Sequence, residues 1–275
     1  MADNDASPAF TWVGDWSAQL VATAIHTGHD LRDEVRAAMA LDEETRLREE
    51  DPFTDLIGAQ CPARVVVHRS RFEVDLNRAR DEAVYRRPED AWDLEVWRDS
   101  PLPDDIARRS TEMHDAFYAE LGERLDEVAA RGPFVVYDVH SYNHRRDGED
   151  APEGPQRKNP EVNVGTGPLD RERWGAVVDV FIETLAGRGT AGGEIDVREN
   201  VRFEGAHLSR WVDERYEGRG IALALEFKKT YMDEWTGEPD HEQIDTLARA
   251  LGQTVEPVLH ALRVASGARD GGATR

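Results

Sequence analysis

Cysteine is almost absent. Cys61 is the only one in 275 residues, which excludes an intramolecular disulfide and any zinc or iron–sulfur site built from several thiolates. A small buried side chain is its expected role. Lysine is nearly as scarce: Lys158, Lys228 and Lys229 are the whole set, so arginine carries almost all the positive charge. Basic charge is itself the minority, with 34 basic against 56 acidic residues and a net charge of −22. Such a field repels nucleic-acid phosphates and anionic lipid, which argues against general binding to either. Acidity with so little lysine is compatible with adaptation to high salt or with a GC-rich coding bias.

Long apolar runs are missing too. None approaches the ~20 residues that a membrane helix needs, and MADNDASPAF lacks the basic-then-apolar pattern of a secretory leader. A soluble, cytoplasmic protein is expected. No G-x-x-x-x-G-K or G-x-G-x-x-G follows a strand-like run, and G-x-S-x-G does not occur, which sets aside phosphate-loop, dinucleotide and serine-nucleophile chemistry.

What is present is enough for a substantial core: 39% hydrophobic residues, with seven Trp, six Tyr and eight Phe. Strand-like and helix-like segments alternate. LVATAIH (residues 20–26), RVVVH (64–68), FVVYDV (134–139) and IALALEF (221–227) read as strands, and Phe72 to Leu76 alternates apolar and polar residues. Helical spacing marks 31–41, 104–130, 174–185 and a closing helix through Ile244, Leu247, Leu251, Val255 and Leu259. Asp51-Pro52 reads as an N-cap and first helical residue of a helix running to about Gln60. Residues 141–160 form a long polar loop. The pattern predicts a three-layer α/β sandwich, a mixed, largely parallel sheet with helices on both faces. It is read as one domain over residues 1–266, with a frayed tail at 267–275.

Ligands of such sheets gather at the C-terminal strand ends, where four polar clusters stand: His26 to Asp30, Asp138 to His144, Glu226, and Arg71 with Asp75 to Arg78. Each has an ordinary structural reading, as loop hydrogen-bonders, a paired carboxylate or a polar turn. Together they suggest zinc hydrolysis. Two histidines and a carboxylate bind Zn²⁺, a separate glutamate takes a proton from water, one arginine stabilises an oxyanion and another forks onto a carboxylate.

The motifs resemble those of the N-formylglutamate amidohydrolase (deformylase) family, a zinc-dependent branch of the carboxypeptidase-like fold. The family's P-H-x-G stands as Ile25-His26-Thr27-Gly28, and its S-R-x-x-x-D-L-N-R is complete from Ser70 to Arg78. Asp138-Val139-His140-Ser141 matches D-x-H-S, and Asn163 to Thr166 matches an N-x-G-T turn. Gly205 to Arg210 is similar to G-x-x-x-x-R, and Leu225-Glu226 with Tyr231 to Glu234 matches the L-E…Y-M-D-E ending. The resemblance implies one Zn²⁺ per chain on His26 and His140, Glu226 as general base and Arg71 as oxyanion partner. It further implies Asn77, Arg78 and Arg210 as substrate-binding residues. The third ligand is expected from 49–55, where the family carries D-x-D-x-x-x-D: Asp51 first, Asp55 as its substitute, with His29 and Asp30 behind them. Arg145 and Arg146 are candidates for a locally positive pocket, and His144 for closing over substrate.

The sequence departs from the family in lacking proline before His26 and in reading EEDPF in the acidic stretch. The implied activity is hydrolysis of an N-acyl (N-formyl) amino acid, a small-molecule substrate. A carboxypeptidase-like metallopeptidase and a non-catalytic binding protein on the same fold are the rivals. The sequence carries no sign of oligomeric state.

Overall fold

The computed structural model describes residues 8–146, 148–187 and 193–270. Its sheet has seven strands: β1 (Phe10–Gly14), β2 (Leu20–Ala24), β3 (Ala63–Val67), β4 (Phe134–Tyr142), β5 (Val162–Gly165), β6 (Val197–Glu199) and β7 (Gly220–Lys228). Their spatial order is β1-β3-β2-β4-β7-β5-β6. The central strands β3, β2, β4 and β7 run parallel, β1 and β5 are antiparallel to their inner neighbours, and β6 is parallel to β5. The sheet is mixed, as expected.

Alternation along the strands sorts side chains to two faces. Leu20, Ala22, Val135, Tyr137, Val139, Leu223 and Leu225 pack with α5 (Arg171–Ala186), α7 (His241–Gly252) and α8 (Val255–Asp270). On the other face Val21, Val65, Val136 and Ala222 meet Phe117, Leu121, Leu125 and Val128 of α4 (Asp104–Ala129), with Leu208 and Val212 of α6 (His207–Arg215). Each fully buried Leu, Val or Phe contributes ~1.5–3 kcal/mol, so the three layers are held mainly by these two clusters. Cys61 is buried in the first, where desolvation pushes its thiol up to about 12.

Several local expectations change. Helix α1 is shorter than expected (Asp33–Ala38), and α2 (Glu43–Glu49) lies in a stretch that the apolar spacing did not mark. Asp51 is not an N-cap. Phe53, with φ of 67°, turns the chain into the four-residue α3 (Thr54–Ile57), continued by a 3₁₀ turn, and the Asp51 side chain faces two histidines instead. The alternation from Phe72 to Leu76 belongs to an irregular segment, whose apolar side chains serve two cores while Asp75 turns toward His26. The closing helix is two helices, broken at Gln253-Thr254, where Thr254 is buried and bonded to Tyr137 and Leu251. Asn163 to Thr166, expected as a turn, is mostly strand β5. The frayed tail is revised in part: α8 continues past Ser266 to Asp270, and residues 271–275 lie outside the described ones.

Candidate active site

The parallel strands β2, β4 and β7 end together, and chemistry-bearing residues collect there. On β4, Asp138 and His140 alternate with Val139, so they point to the same face as Val136. Glu226 does the same on β7 and is the register partner of His140. His26 follows β2 by two residues, beside a glycine the packing requires: a Cβ on Gly28 would lie 2.2 Å from the His68 carbonyl carbon.

His26, Asp51 and His140 are buried and present one ligand atom each within 4.8 Å of one another. Asp51 Oδ2 is 3.0 Å from His140 Nδ1 and 3.4 Å from His26 Nδ1. The other ring nitrogens face carboxylates: His26 Nε2 is 2.7 Å from Asp75 Oδ1, and His140 Nε2 is 3.1 Å from Asp138 Oδ1. Carboxylates behind ligating histidines fix ring orientation and raise ligand basicity. His26 Nδ1 is buried with no hydrogen-bond partner. An orphaned buried nitrogen is costly, and this one faces the other two ligand atoms. The donor set, two imidazoles and a carboxylate, fits a zinc ion.

Electrostatics follow from burial and pairing. Burial works against the Asp51 carboxylate, but the hydrogen bond to His140 and the closeness of both imidazoles outweigh it and hold the pKa below the carboxylate range. Burial likewise opposes a charged His140, yet Asp138 and Asp51 raise its pKa well above the usual value. Binding a cation there therefore means displacing a proton. Burial pushes Glu226 up to about 8, aided by Asp51 and Asp138 and opposed by His140 and Arg71. Among the described residues none forms a hydrogen bond or ion pair with the Glu226 carboxylate.

Asp75 links the histidine to the arginines. Its Oδ2 accepts from Arg71 at 2.7 Å and from the Tyr85 hydroxyl, and lies 3.7 Å from Arg78. Burial alone would lower the Arg71 pKa, but Asp75 more than compensates and keeps the guanidinium charged. Arg78 lies 4.7 Å over the Tyr85 ring. Asn77 Nδ2 is 3.2 Å from His140 Nε2, and its Oδ1 accepts from Leu208 N. His26, Asp51, Arg71, Asp75, Asn77, Arg78, His140 and Glu226 line one cavity of about 250 Å³ with Glu49, Trp92, Tyr142, Asn143, Arg146, Phe203 and Lys229.

Two expected site residues are elsewhere. Asp55 is outside the metal cluster and accepts instead from Thr27 Oγ1 at 2.9 Å. Arg210 is exposed and lines a separate hollow with Glu204, Gly205, Asp213 and Glu214, since α6 turns it away from the strand ends. His29 is tied to Glu50 at 2.5 Å and to Arg46, and Asp30 pairs with Arg69 through its backbone, as an isolated parallel β-bridge. Arg145 reaches Asp233 at 3.6 Å, while His144 is buried with its backbone N–H on Glu234. Of the polar stretch 141–160, Ser141 and Tyr142 end β4 instead of opening a loop, and with Asn143 and Arg146 they reach the cavity; Asp147 lies outside the described residues.

Residues 18–232 match the N-formylglutamate amidohydrolase family. Among solved structures, N-formylglutamate amidohydrolase from Ralstonia eutropha is similar at 19% identity, covering 95% of this chain and 99% of that one, with a TM-score of 0.71. A gene product of Agrobacterium tumefaciens follows at 14% identity, 94% and 97% coverage and a TM-score of 0.66. A fainter likeness, to carboxypeptidase A from Helicoverpa armigera, has a TM-score of 0.49 at 10% identity over 94% of this chain and 66% of that one, and the fold assignment does not rest on it. No curated protein matches. The family match spans most of the sequence and takes in all the residues that line the cavity, so the chain belongs to the N-formylglutamate amidohydrolase family.

Proposed function

We propose that the chain is a zinc-dependent amidohydrolase that cleaves the amide of an N-acyl amino acid, N-formylglutamate-like in its free carboxylate, and that residues 1–266 act as one catalytic unit. The observation that carries this reading is the Nδ1 of His26, buried without a hydrogen bond and 3.4 Å from Asp51 Oδ2. It faces Asp51 and His140 Nδ1, while carboxylates hold both remaining ring nitrogens. His26, Asp51 and His140 would hold the ion. When bound, Zn²⁺ supplies Lewis acidity and makes water a nucleophile near neutral pH.

The chain's own residues do the rest. Arg78 takes the substrate carboxylate, a planar fork matched to two oxygens, and Asn77 stands next to it. Arg71, held charged by Asp75, polarises the scissile carbonyl and meets the negative charge that develops on its oxygen. Glu226 accepts the proton of the attacking water and returns it to the leaving nitrogen. A carboxylate at about 8 is mostly protonated at neutral pH, and a nearby divalent cation lowers it into the range of a working base. A cavity of about 250 Å³ lined largely by charged and polar residues suits a small charged substrate better than a protein chain.

Turnover of formyl-, acetyl- and succinyl-amino acids by zinc-loaded protein tests the proposal. Release of the acyl acid from substrates with a free carboxylate is expected. Hydrolysis of blocked dipeptides in preference to these would favour a peptidase, and hydrolysis of none would leave a binding protein.

A further inference from the structure

The segment that carries Asp51 has no regular structure. It leaves α2 at Glu50 and passes Asp51-Pro52 before the left-handed turn at Phe53. Buried carbonyls in such a segment need partners, and three side chains from distant strand ends provide them. Lys229 Nζ donates to Arg48 O at 2.6 Å and to Glu50 O at 2.7 Å. Asn143 Nδ2 also donates to Arg48 O, at 2.9 Å, and the Tyr231 hydroxyl donates to Pro52 O at 3.0 Å.

Lys229 is 2% exposed. Burying an ammonium is costly, and capping two carbonyls does not require a charge. An ammonium does offer three tetrahedral protons on a long stem, which lets one residue reach the carbonyls on both sides of Glu49. Its position is equally telling. It follows Glu226 by three residues, and its backbone N–H bonds to Tyr142 O at 3.1 Å, two residues past His140. One residue thus joins, through backbone and side chain together, the runs that bear Glu226, His140 and Asp51. It also lines the cavity.

We propose that Lys229 is a positioning residue for the metal centre: by clamping the Arg48 and Glu50 carbonyls it holds Asp51 Oδ2 against the Nδ1 atoms of both histidines. The inference rests on the proposed metal reading. Without the lysine, Glu50 O loses its hydrogen-bond donor. Asp51 keeps its N–H on His26 O (2.9 Å), the Thr54 hydroxyl on its carbonyl (2.8 Å) and the Ser141 hydroxyl on Oδ1 (3.0 Å), but the backbone that leads into it from Arg48 to Glu50 is then held from the strand ends by Asn143 alone.

The test is the zinc affinity of metal-stripped, full-length Lys229→Met, measured by chelator competition, together with the melting temperature of the metal-free form. Zinc binding weaker by at least ~10-fold is expected, the range seen when outer residues of a metal site are lost. Tyr231→Phe removes only the Pro52 bond and should weaken zinc severalfold, as loss of one net hydrogen bond does. A purely structural lysine would lower the melting temperature and leave zinc affinity unchanged; that result overturns the proposal. If Lys229→Met does not fold, Tyr231→Phe and Asn143→Ala decide, and unaltered zinc affinity in both overturns it. Failure of the parent protein to bind zinc would instead bring down the metal reading, and this inference with it.

Discussion

His140 and Glu226 are register partners on the adjacent parallel strands β4 and β7. The pairing sets a proposed metal ligand and a proposed general base side by side, with both side chains on the face covered by α4 and α6. Neither residue needs a loop to reach the other, so their spacing is as rigid as the sheet.

Glu226→Gln keeps shape and burial and removes the basic oxygen. Turnover should fall by at least ~10²-fold while zinc and substrate bind nearly as before. Steady-state kinetics and zinc titration on one purified variant check this. A lowered melting temperature with kcat within a few-fold would make Glu226 structural, a role for which the structure offers no ion-pair partner among the described residues.

Asp75→Asn should weaken zinc binding ~10–100-fold, because Asp75 Oδ1 sits 2.7 Å from His26 Nε2. It should also disturb Arg71, which the same carboxylate holds. Unchanged zinc affinity would remove Asp75 from the centre.

Arg78→Lys replaces a planar fork with a point charge. Turnover of free-carboxylate substrates should fall, mainly through KM, and amidated analogues should be poor substrates of the parent. Equal turnover of free and amidated substrates would contradict the clamp.

Much of this site was legible because its residues stand at the ends of apolar strands. FVVYDV and IALALEF announce where Asp138, His140 and Glu226 must emerge, and Ser70 to Arg78 carries its motif in one piece. What escaped notice acts across long sequence separations. Lys229 reads as one of two polar residues after a strand, yet its partners are 179 and 181 residues away. Its only signal was a lysine following a buried strand in a chain with just three. Trp92 reaches the cavity from a segment without helical or strand periodicity, so no pattern placed it, and Glu49 reaches it from the acidic 49–55 stretch, where only the aspartates stand out. Asp51 and its substitute Asp55 would share one face if 51–60 were a single helix, and the left-handed Phe53 between them breaks that helix.

A pH effect is expected away from the metal ligands. His114 and His207 stand with ring centroids 6.0 Å apart. Burial lowers both pKa values, and for His207 the neighbouring His114 lowers it further. The hydrogen bond to the Arg78 carbonyl, then Asp115 and Asp75, oppose the shift of His114 and Arg80 assists it; around His207, Glu214 and Asp75 oppose and Arg210 assists. A depressed histidine favours the folded state above the unfolded value of ~6.5, and that contribution is lost as pH falls toward the folded value. The urea midpoint should therefore drop between about pH 7 and 5.5, and His207→Gln should flatten the drop. An identical pH slope in parent and variant would contradict this.

The most direct measurement is zinc per chain after dialysis, by elemental analysis, in the parent, His26→Ala and His140→Ala. One equivalent in the parent is expected, with most of it lost in each variant while circular dichroism stays that of the folded protein. A full equivalent of zinc retained in both variants would contradict a centre built on His26, Asp51 and His140.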